Sequence, residues 1–199
     1  KIAGKGEYDE NGDLKAVLPA PLLFGKATIH GRPAVAPADD FTIRGGAADA
    51  GIKRKMVQAE QMAHELKLPM IRMIDGTGGG GSVKTLEQIG ATYIPAVPGW
   101  GDVVTNLDTV PVVALALGPT AGLGAARIVA SHYSIMVRGL SQIFAAGPAV
   151  VDGLGASYKS AEDHQQAKED LGGSDIHTRN GVVDDEVASE AEAFARAWF

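Results

Sequence analysis

The residues of this chain that could do chemistry are mostly glycines. Three clusters each follow an apolar run and precede a helical one: Ile43-Arg44-Gly45-Gly46-Ala47, Ile74-Asp75-Gly76-Thr77-Gly78-Gly79-Gly80-Gly81, and Leu117-Gly118-Pro119-Thr120-Ala121-Gly122-Leu123-Gly124. The first N–H groups of a helix have no intrahelical acceptor and lie at the positive end of the helix dipole. Glycine lets another molecule approach them. Such a place stabilises a phosphate, or the oxyanion that develops on a thioester carbonyl. The same residues also suit plain tight turns, but the recurrence of one arrangement in successive units favours binding.

At the second cluster a phosphate loop is excluded and a dinucleotide pattern matches weakly. Gly76 to Gly81 has the glycine spacing of a phosphate loop, but Ser82 stands where the motif needs Lys, and Lys84-Thr85 comes too late. A Gly-x-Gly-x-x-Gly dinucleotide pattern can be laid over the same residues, with no acidic residue at a convincing ribose position. Side-chain catalysis is sparse. His30, His64, His132, His164 and His177 show no metal-ligand spacing with a partner carboxylate, so no metal is expected. Ser131-His132 is adjacent rather than arranged as nucleophile and base, and there is no Gly-x-Ser-x-Gly elbow. Asp39-Asp40 and Asp184-Asp185 read as turn or cap residues, and His64 as a surface or packing residue. What remains is backbone electrostatics.

The elements that must position these loops follow from hydrophobic spacing. Residues 27–29 and 34–36, joined through His30-Gly31-Arg32, read as a hairpin, and 41–43 as a further β run. A helix is expected from Ala48, with Ile52, Met56, Ala59, Ala63 and Leu66 on one face, ended by Pro69. Strands follow at 70–74, 110–117 and 133–137, and helices at 85–90, 102–107 and 124–131. The run 110–117 is apolar on both faces, as buried parallel strands are. Ser160 opens a helix to Leu171 as a capping residue. A last helix is expected from Asp184 or Asp185, with Val187, Ala191, Phe194 and Trp198 on its apolar face. Strand and helix alternate, which is the α/β signature. No internal repeat or linker divides the chain, so one domain over 1–199 is expected, with 1–18 as a flexible, glycine-rich and charged lead-in.

Composition narrows the partners. The chain has 199 residues, with 18 Lys and Arg against 24 Asp and Glu, a formal charge of −6. That balance argues against a nucleic-acid partner, which needs a positive surplus on some face. Hydrophobic residues make up 45%, enough for a packed core, and there is no cysteine for a disulfide or thiolate metal site. Residues 109–126 carry no charge, but Pro111, Gly118, Pro119, Gly122 and Gly124 interrupt them. A membrane-spanning helix wants about 20 continuous apolar residues, so this stretch is expected to be strand, turn and helix start, with no membrane span.

Five ordered blocks carry a family resemblance. They are Asp39-Asp40-Phe41-Thr42-Ile43-Arg44-Gly45-Gly46; Pro69-Met70-Ile71-Arg72-Met73-Ile74-Asp75 followed by glycines; Gly118-Pro119-Thr120-Ala121-Gly122; Ser134-Ile135-Met136-Val137 with Gln142-Ile143-Phe144-Ala145-Ala146-Gly147-Pro148; and Glu169-Asp170-Leu171-Gly172-Gly173-Ser174-Asp175-Ile176-His177. From about Pro21 onward the chain resembles the carboxyltransferase β subunits of biotin-dependent acyl-CoA carboxylases, nearest in style to the methylcrotonyl-CoA and propionyl-CoA enzymes. The resemblance implies a crotonase/ClpP-like ββα spiral, and a match to the N-terminal, acyl-CoA-binding half alone. It implies carboxyl transfer from carboxybiotin to the α or γ carbon of an acyl-CoA, with biotin on a partner carrier protein and coenzyme A as part of the substrate. It further implies a C-terminal carboxyltransferase half, a biotin carboxylase and carrier subunit, and an oligomer, in the cytoplasm or the mitochondrial matrix.

By the same resemblance, the backbone N–H groups of Gly122 and Leu123 form the oxyanion hole, and Gly45, Gly46, Ala47, Gly78 and Gly79 face the acyl-CoA. Leu123 departs from the family's usual glycine, and four glycines before Ser82 replace the usual two. Two other readings stay open. One is a biotin-independent crotonase-like hydratase or decarboxylase, which normally needs a carboxylate beside the glycine turn, although 109–126 contains none. The other is a non-catalytic scaffolding subunit.

Overall fold

Strands that are apolar without alternation belong in the middle of a parallel sheet, covered on both faces. The computed structural model describes residues 4–46, 53–76, 99–148 and 160–198. In chain order the strands are β1 (Gly4–Tyr8), β2 (Leu14–Pro19), β3 (Leu22–Ile29), β4 (Arg32–Asp39), β5 (Met70–Ile74), β6 (Val112–Ala116), β7 (Pro119–Ala121), β8 (Tyr133–Val137), β9 (Gln142–Phe144) and β10 (Asp185–Val187). The helices are α1 (Lys53–Leu66), α2 (Trp100–Thr109), α3 (Leu123–Val129), α4 (Ala161–Gly172), α5 (Ser174–Arg179) and α6 (Glu190–Arg196). Six strands form the main sheet in the order β10-β8-β6-β5-β4-β3. All of its pairings are parallel except the β3–β4 hairpin. The apolar β5 and β6 lie inside it, with Met70 opposite Val112 and Met73 opposite Leu115. The α/β expectation is met.

Alternating sides of the strands feed two layers. On one side Val35, Met70 and Val112 pack under Ala59 and Ala63 of α1, on the face that helical spacing selects. On another, Ala34, Ile71, Leu115, Ile135 and Val187 pack with Ala193 of α6. A third cluster joins Ile74, Ala114, Ala116 and Met136 to Ala125 and Ile128 of α3. Fully burying one such side chain contributes about 1.5–3 kcal/mol, so these clusters dominate the stability. Ser160 caps α4 as expected, its hydroxyl accepting from the Asp163 N–H at 3.0 Å.

Three expectations are corrected. Residues 4–19, most of them in the stretch 1–18 expected as a flexible lead-in, carry regular structure, because β1 and β2 pair as an antiparallel hairpin. The run 41–43 is a turn rather than a strand: Asp40 Oδ1 accepts from Thr42 N–H at 3.0 Å and from its hydroxyl at 2.6 Å, which bends the chain. Residues 185–187 are strand β10, drawn into the sheet by parallel pairing with β8, so the last helix starts only after Ser189, whose hydroxyl accepts from the Glu192 N–H at 3.2 Å. The buried residue of that helix is Ala193, and Phe194 is exposed. The expected helix over 85–90 and the start of α1 from Ala48 lie outside the described residues.

Candidate functional site

Because β4, β5 and β6 are parallel, their C-terminal ends share one edge of the sheet. The described residues of the three glycine clusters, among them Gly46, Gly76 and Gly118, come together at that edge. A Cβ on Gly46 would fall 2.8 Å from the Gly76 Cα and 2.9 Å from the Asp75 carbonyl oxygen, and Gly46 has φ +68°. Only glycine satisfies both conditions. A Cβ on Gly118 would fall 2.1 Å from Asp75 Oδ1. The Leu117 N–H donates to the Ile74 carbonyl at 2.9 Å and the Ala121 N–H to that of Gly76 at 3.4 Å. Main chain thus stacks directly on main chain, in the position where open parallel sheets bind ligands. Ala47, Gly78 and Gly79 lie outside the described residues.

The third cluster ends at the head of α3. Gly122 takes φ +57° and ψ −115°, and as N-cap it has no side chain to accept from the first turn. Its own N–H donates to the Phe144 carbonyl at 3.0 Å. The expectation that this amide is a free oxyanion donor is therefore corrected. The cause is the parallel pairing of β7 with β9, whose ladder runs one hydrogen bond beyond Ala121. The Leu123 N–H has no acceptor among the described residues. The Leu123 side chain packs against Leu22 and Met56, which anchors the first turn of α3 while leaving that amide at the helix head.

The other end of α3 is tied down by residues that motif reading did not single out. Arg72, fully buried in β5, donates through Nε and Nη2 to both Glu60 carboxylate oxygens at 3.0 Å. Its Nη1 donates to the Arg127 carbonyl at 3.1 Å and also to the Ala130 carbonyl, which are among the last acceptors of α3. Asn106 Nδ2 completes the cluster by donating to Glu60 at 2.8 Å. Burial pulls the Arg72 guanidinium below its ordinary value, and the Glu60 carboxylate opposes that. Arg127 then reaches from α3 to Asp39 at 3.0 Å, both side chains only 5% exposed. Asp39, expected as a turn residue, is half of a buried ion pair; Asp40 does serve the turn. The available signal was a lone Arg inside an apolar strand, which has to find a buried partner.

Asp75 is the acid at the junction. Burial raises its carboxyl above the ordinary range, and the charges of Asp39 and Glu190 push the same way. Its Oδ1 is enclosed, with no hydrogen-bond partner among the described residues. A search for a carboxylate within 109–126 misses it, because it comes from the preceding strand and sits under Gly118.

The opposite edge of the sheet differs. A cavity of about 740 Å³ opens there beside Val112, His132, Tyr133 and Arg196. Its polar groups are engaged. His132 Nδ1 accepts from the Val112 N–H at 3.0 Å, its Nε2–H donates to the Leu107 carbonyl at 2.8 Å, and both Tyr133 and Arg196 bind Asp185. Among the described residues no cluster of three potential metal ligands exists, and no helix is long and apolar enough to cross a membrane.

Comparison with known proteins fits this geometry. A carboxyl transferase domain model matches residues 7–198. The mitochondrial methylcrotonoyl-CoA carboxylase beta chain of Arabidopsis thaliana is 31% identical over 193 residues, 92% of this chain and 29% of that one. The corresponding chain of Dictyostelium discoideum is 28% identical over 201 residues, 98% of this chain and 31% of its own. Among solved structures, a transcarboxylase 12S with methylmalonyl-coenzyme A and methylmalonic acid bound superposes with a TM-score of 0.67 at 26% identity, over 91% of this chain and 34% of that one. The chain spans about a third of the length of the curated relatives it matches. The expected crotonase-like fold is the fold these neighbours share.

Proposed function

The chain belongs to the carboxyl transferase domain family, and on that premise we propose that it is the acyl-CoA-binding half of a biotin-dependent acyl-CoA carboxyltransferase. The observation that carries the reading is the Leu123 amide at the head of α3, without an acceptor among the described residues and beside the close approach of Gly46, Gly76 and Gly118 to one another's segments. A thioester carbonyl fits such a place, since it needs hydrogen-bond donors and little else. Gly45 and Gly46, with Ala47, Gly78 and Gly79 of the same loops, line the acyl-CoA. Leu123 N–H receives the negative charge that gathers on the thioester oxygen when the α or γ carbon loses its proton. Gly122 supplies the turn that aims it. One donor of this kind is worth about 10²–10³ in rate. Carboxybiotin, on a carrier protein and facing a C-terminal half, supplies the CO2. The absence of a side-chain acid among the glycines of 118–124 agrees with chemistry done by amides.

A biotin-independent crotonase-like decarboxylase or hydratase has one observation in its favour, the Asp75 carboxyl held above its usual range under Gly118. Its enclosed Oδ1 weighs against direct contact with a substrate. Calorimetric titration with acetyl-, propionyl- and methylcrotonyl-CoA separates a binding half from a scaffold, and turnover assays with and without a biotin-facing half and a carboxybiotin donor separate the two enzymes. The reading requires saturable binding of at least one ester and turnover only when both additions are present. Absence of binding to every ester overturns it, and biotin-free turnover favours the alternative.

A further inference from the structure

The block Leu171-Gly172-Gly173-Ser174-Asp175-Ile176-His177 has no part in the site as described, yet Gly172, Gly173 and His177 of this block lie against β9. We infer that His177 is a positioning residue for the Gly122–Leu123 turn, acting through β9. Its catalytic consequence rests on the proposed role of the Leu123 amide, whereas the positioning itself does not.

His177 Nε2 lies 2.8 Å from the Ile143 carbonyl, so it is the donating nitrogen. Nδ1 is then a bare acceptor, buried and without a partner among the described residues. An unpaired buried acceptor is a cost, and a residue that carries it is held for its other nitrogen. The next carbonyl along β9, that of Phe144, accepts the Gly122 N–H at 3.0 Å. Successive carbonyls of a strand point to opposite sides. Fixing the Ile143 carbonyl toward His177 therefore fixes the Phe144 carbonyl toward Gly122.

A strand of three residues needs such support. β9 has β7 on one side, with Thr120 opposite Ile143 and Ala121 opposite Phe144. On its other side Gly173 bridges Gln142, and the Gln142 side-chain amide donates to Glu169. Gly172 gives the block room to approach, since a Cβ there would stand 2.3 Å from the Ile143 oxygen and 2.7 Å from the Phe144 ring. Gly172, Gly173 and His177 thus form a brace behind β9, with the His177 N–H as its directed contact.

The test compares wild type, His177→Gln, which keeps a side-chain N–H, and His177→Phe, which keeps volume without a donor. His177→Met replaces the Phe variant if that one fails to fold. Amide hydrogen exchange is read at Gly122 and, as a core reference, at Leu115. The expected result is about fivefold to tenfold faster exchange at Gly122 in the Phe or Met variant, wild-type exchange in the Gln variant, and an unchanged Leu115 in both. In full-length protein that includes the biotin-facing half, kcat falls in the same variant while KM for the acyl-CoA stays within about twofold, and His177→Gln recovers kcat. Equal Gly122 exchange in all variants overturns the inference, as does faster exchange shared by Leu115. Faster Gly122 exchange with unchanged kcat, in a protein that turns over, overturns the catalytic consequence. If wild type binds no acyl-CoA ester, the proposed function fails while the exchange result still decides the positioning.

Discussion

The two ends of α3 differ in how their backbone groups are satisfied. At the C-terminal end the carbonyls of Arg127 and Ala130 accept from the buried Arg72 guanidinium, itself clamped by Glu60 and Asn106. At the N-terminal end Gly122 offers no side-chain cap and the Leu123 amide has no acceptor among the described residues. Both ends raise the same problem of orphan groups. One is solved internally with charges that are costly to bury; at the other, the Leu123 N–H is the donor to which we assign the thioester. The lesson is that the tied end holds the helix so that the open end can be aimed. Leu123 is placed by Arg72 and Arg127 below, by Leu22 and Met56 at its side, and by Phe144 through Gly122.

The largest way to break this contrast is at the tied end. Arg72→Leu leaves Glu60 buried without its counter-charge, so the free energy of unfolding by urea should fall by about 3–5 kcal/mol. Adding Glu60→Gln should recover part of that loss; no recovery would mean that the charge pairing is not what Arg72 contributes. A smaller effect is expected at the junction of the loops. Gly46→Ala demands φ +68° of an alanine and drives its Cβ to 2.8 Å from the Gly76 Cα. The strain should cost about 1–3 kcal/mol in denaturant titration and weaken acyl-CoA binding, whereas Gly139→Ala, with φ +69° but open space around its Cβ position, should leave binding intact.

The smallest effect concerns pH. Burial first, then the Asp39 and Glu190 charges, hold the folded Asp75 carboxyl above its ordinary value. A raised carboxyl favours the neutral form. Its contribution to stability is complete below the unfolded value of about 3.9 and is lost as pH rises through the higher folded value. Asp75→Asn cannot ionise, so its melting temperature should gain on that of wild type as pH rises through this window. A constant difference between the two across the window would show that Asp75 does not titrate there.

Much of the fold was legible because it rests on local signals. The stripe Met56, Ala59, Ala63 marked α1, the apolar run at 112–116 marked a buried parallel strand, and Ser160 marked a helix start. The glycine clusters after β5 and β6 were legible as strand-closing turns, whereas the first one follows a turn at 41–43 that its sequence presents as a β run. The rest depends on partners distant in sequence. β7 and β9 are three residues each and exist through pairing with one another, so neither has a pattern of its own, and that pairing is what engages the Gly122 amide. Val187 looked helical by spacing but pairs with Val137 in the sheet. Asp39 and Asp40 look alike in sequence, yet one meets Arg127 from 88 residues away and the other bends its own turn.

The central claim is that the Leu123 amide, rather than any side chain, meets the thioester. Proline is well tolerated at the first position of a helix, so Leu123→Pro removes the N–H with little damage to α3. Leu123→Ala controls for the lost contact with Leu22 and Met56. In full-length enzyme the account predicts that the Pro variant turns over about 10²–10³ more slowly than the Ala variant, with similar melting temperature and acyl-CoA affinity. Equal turnover by the two variants would contradict it.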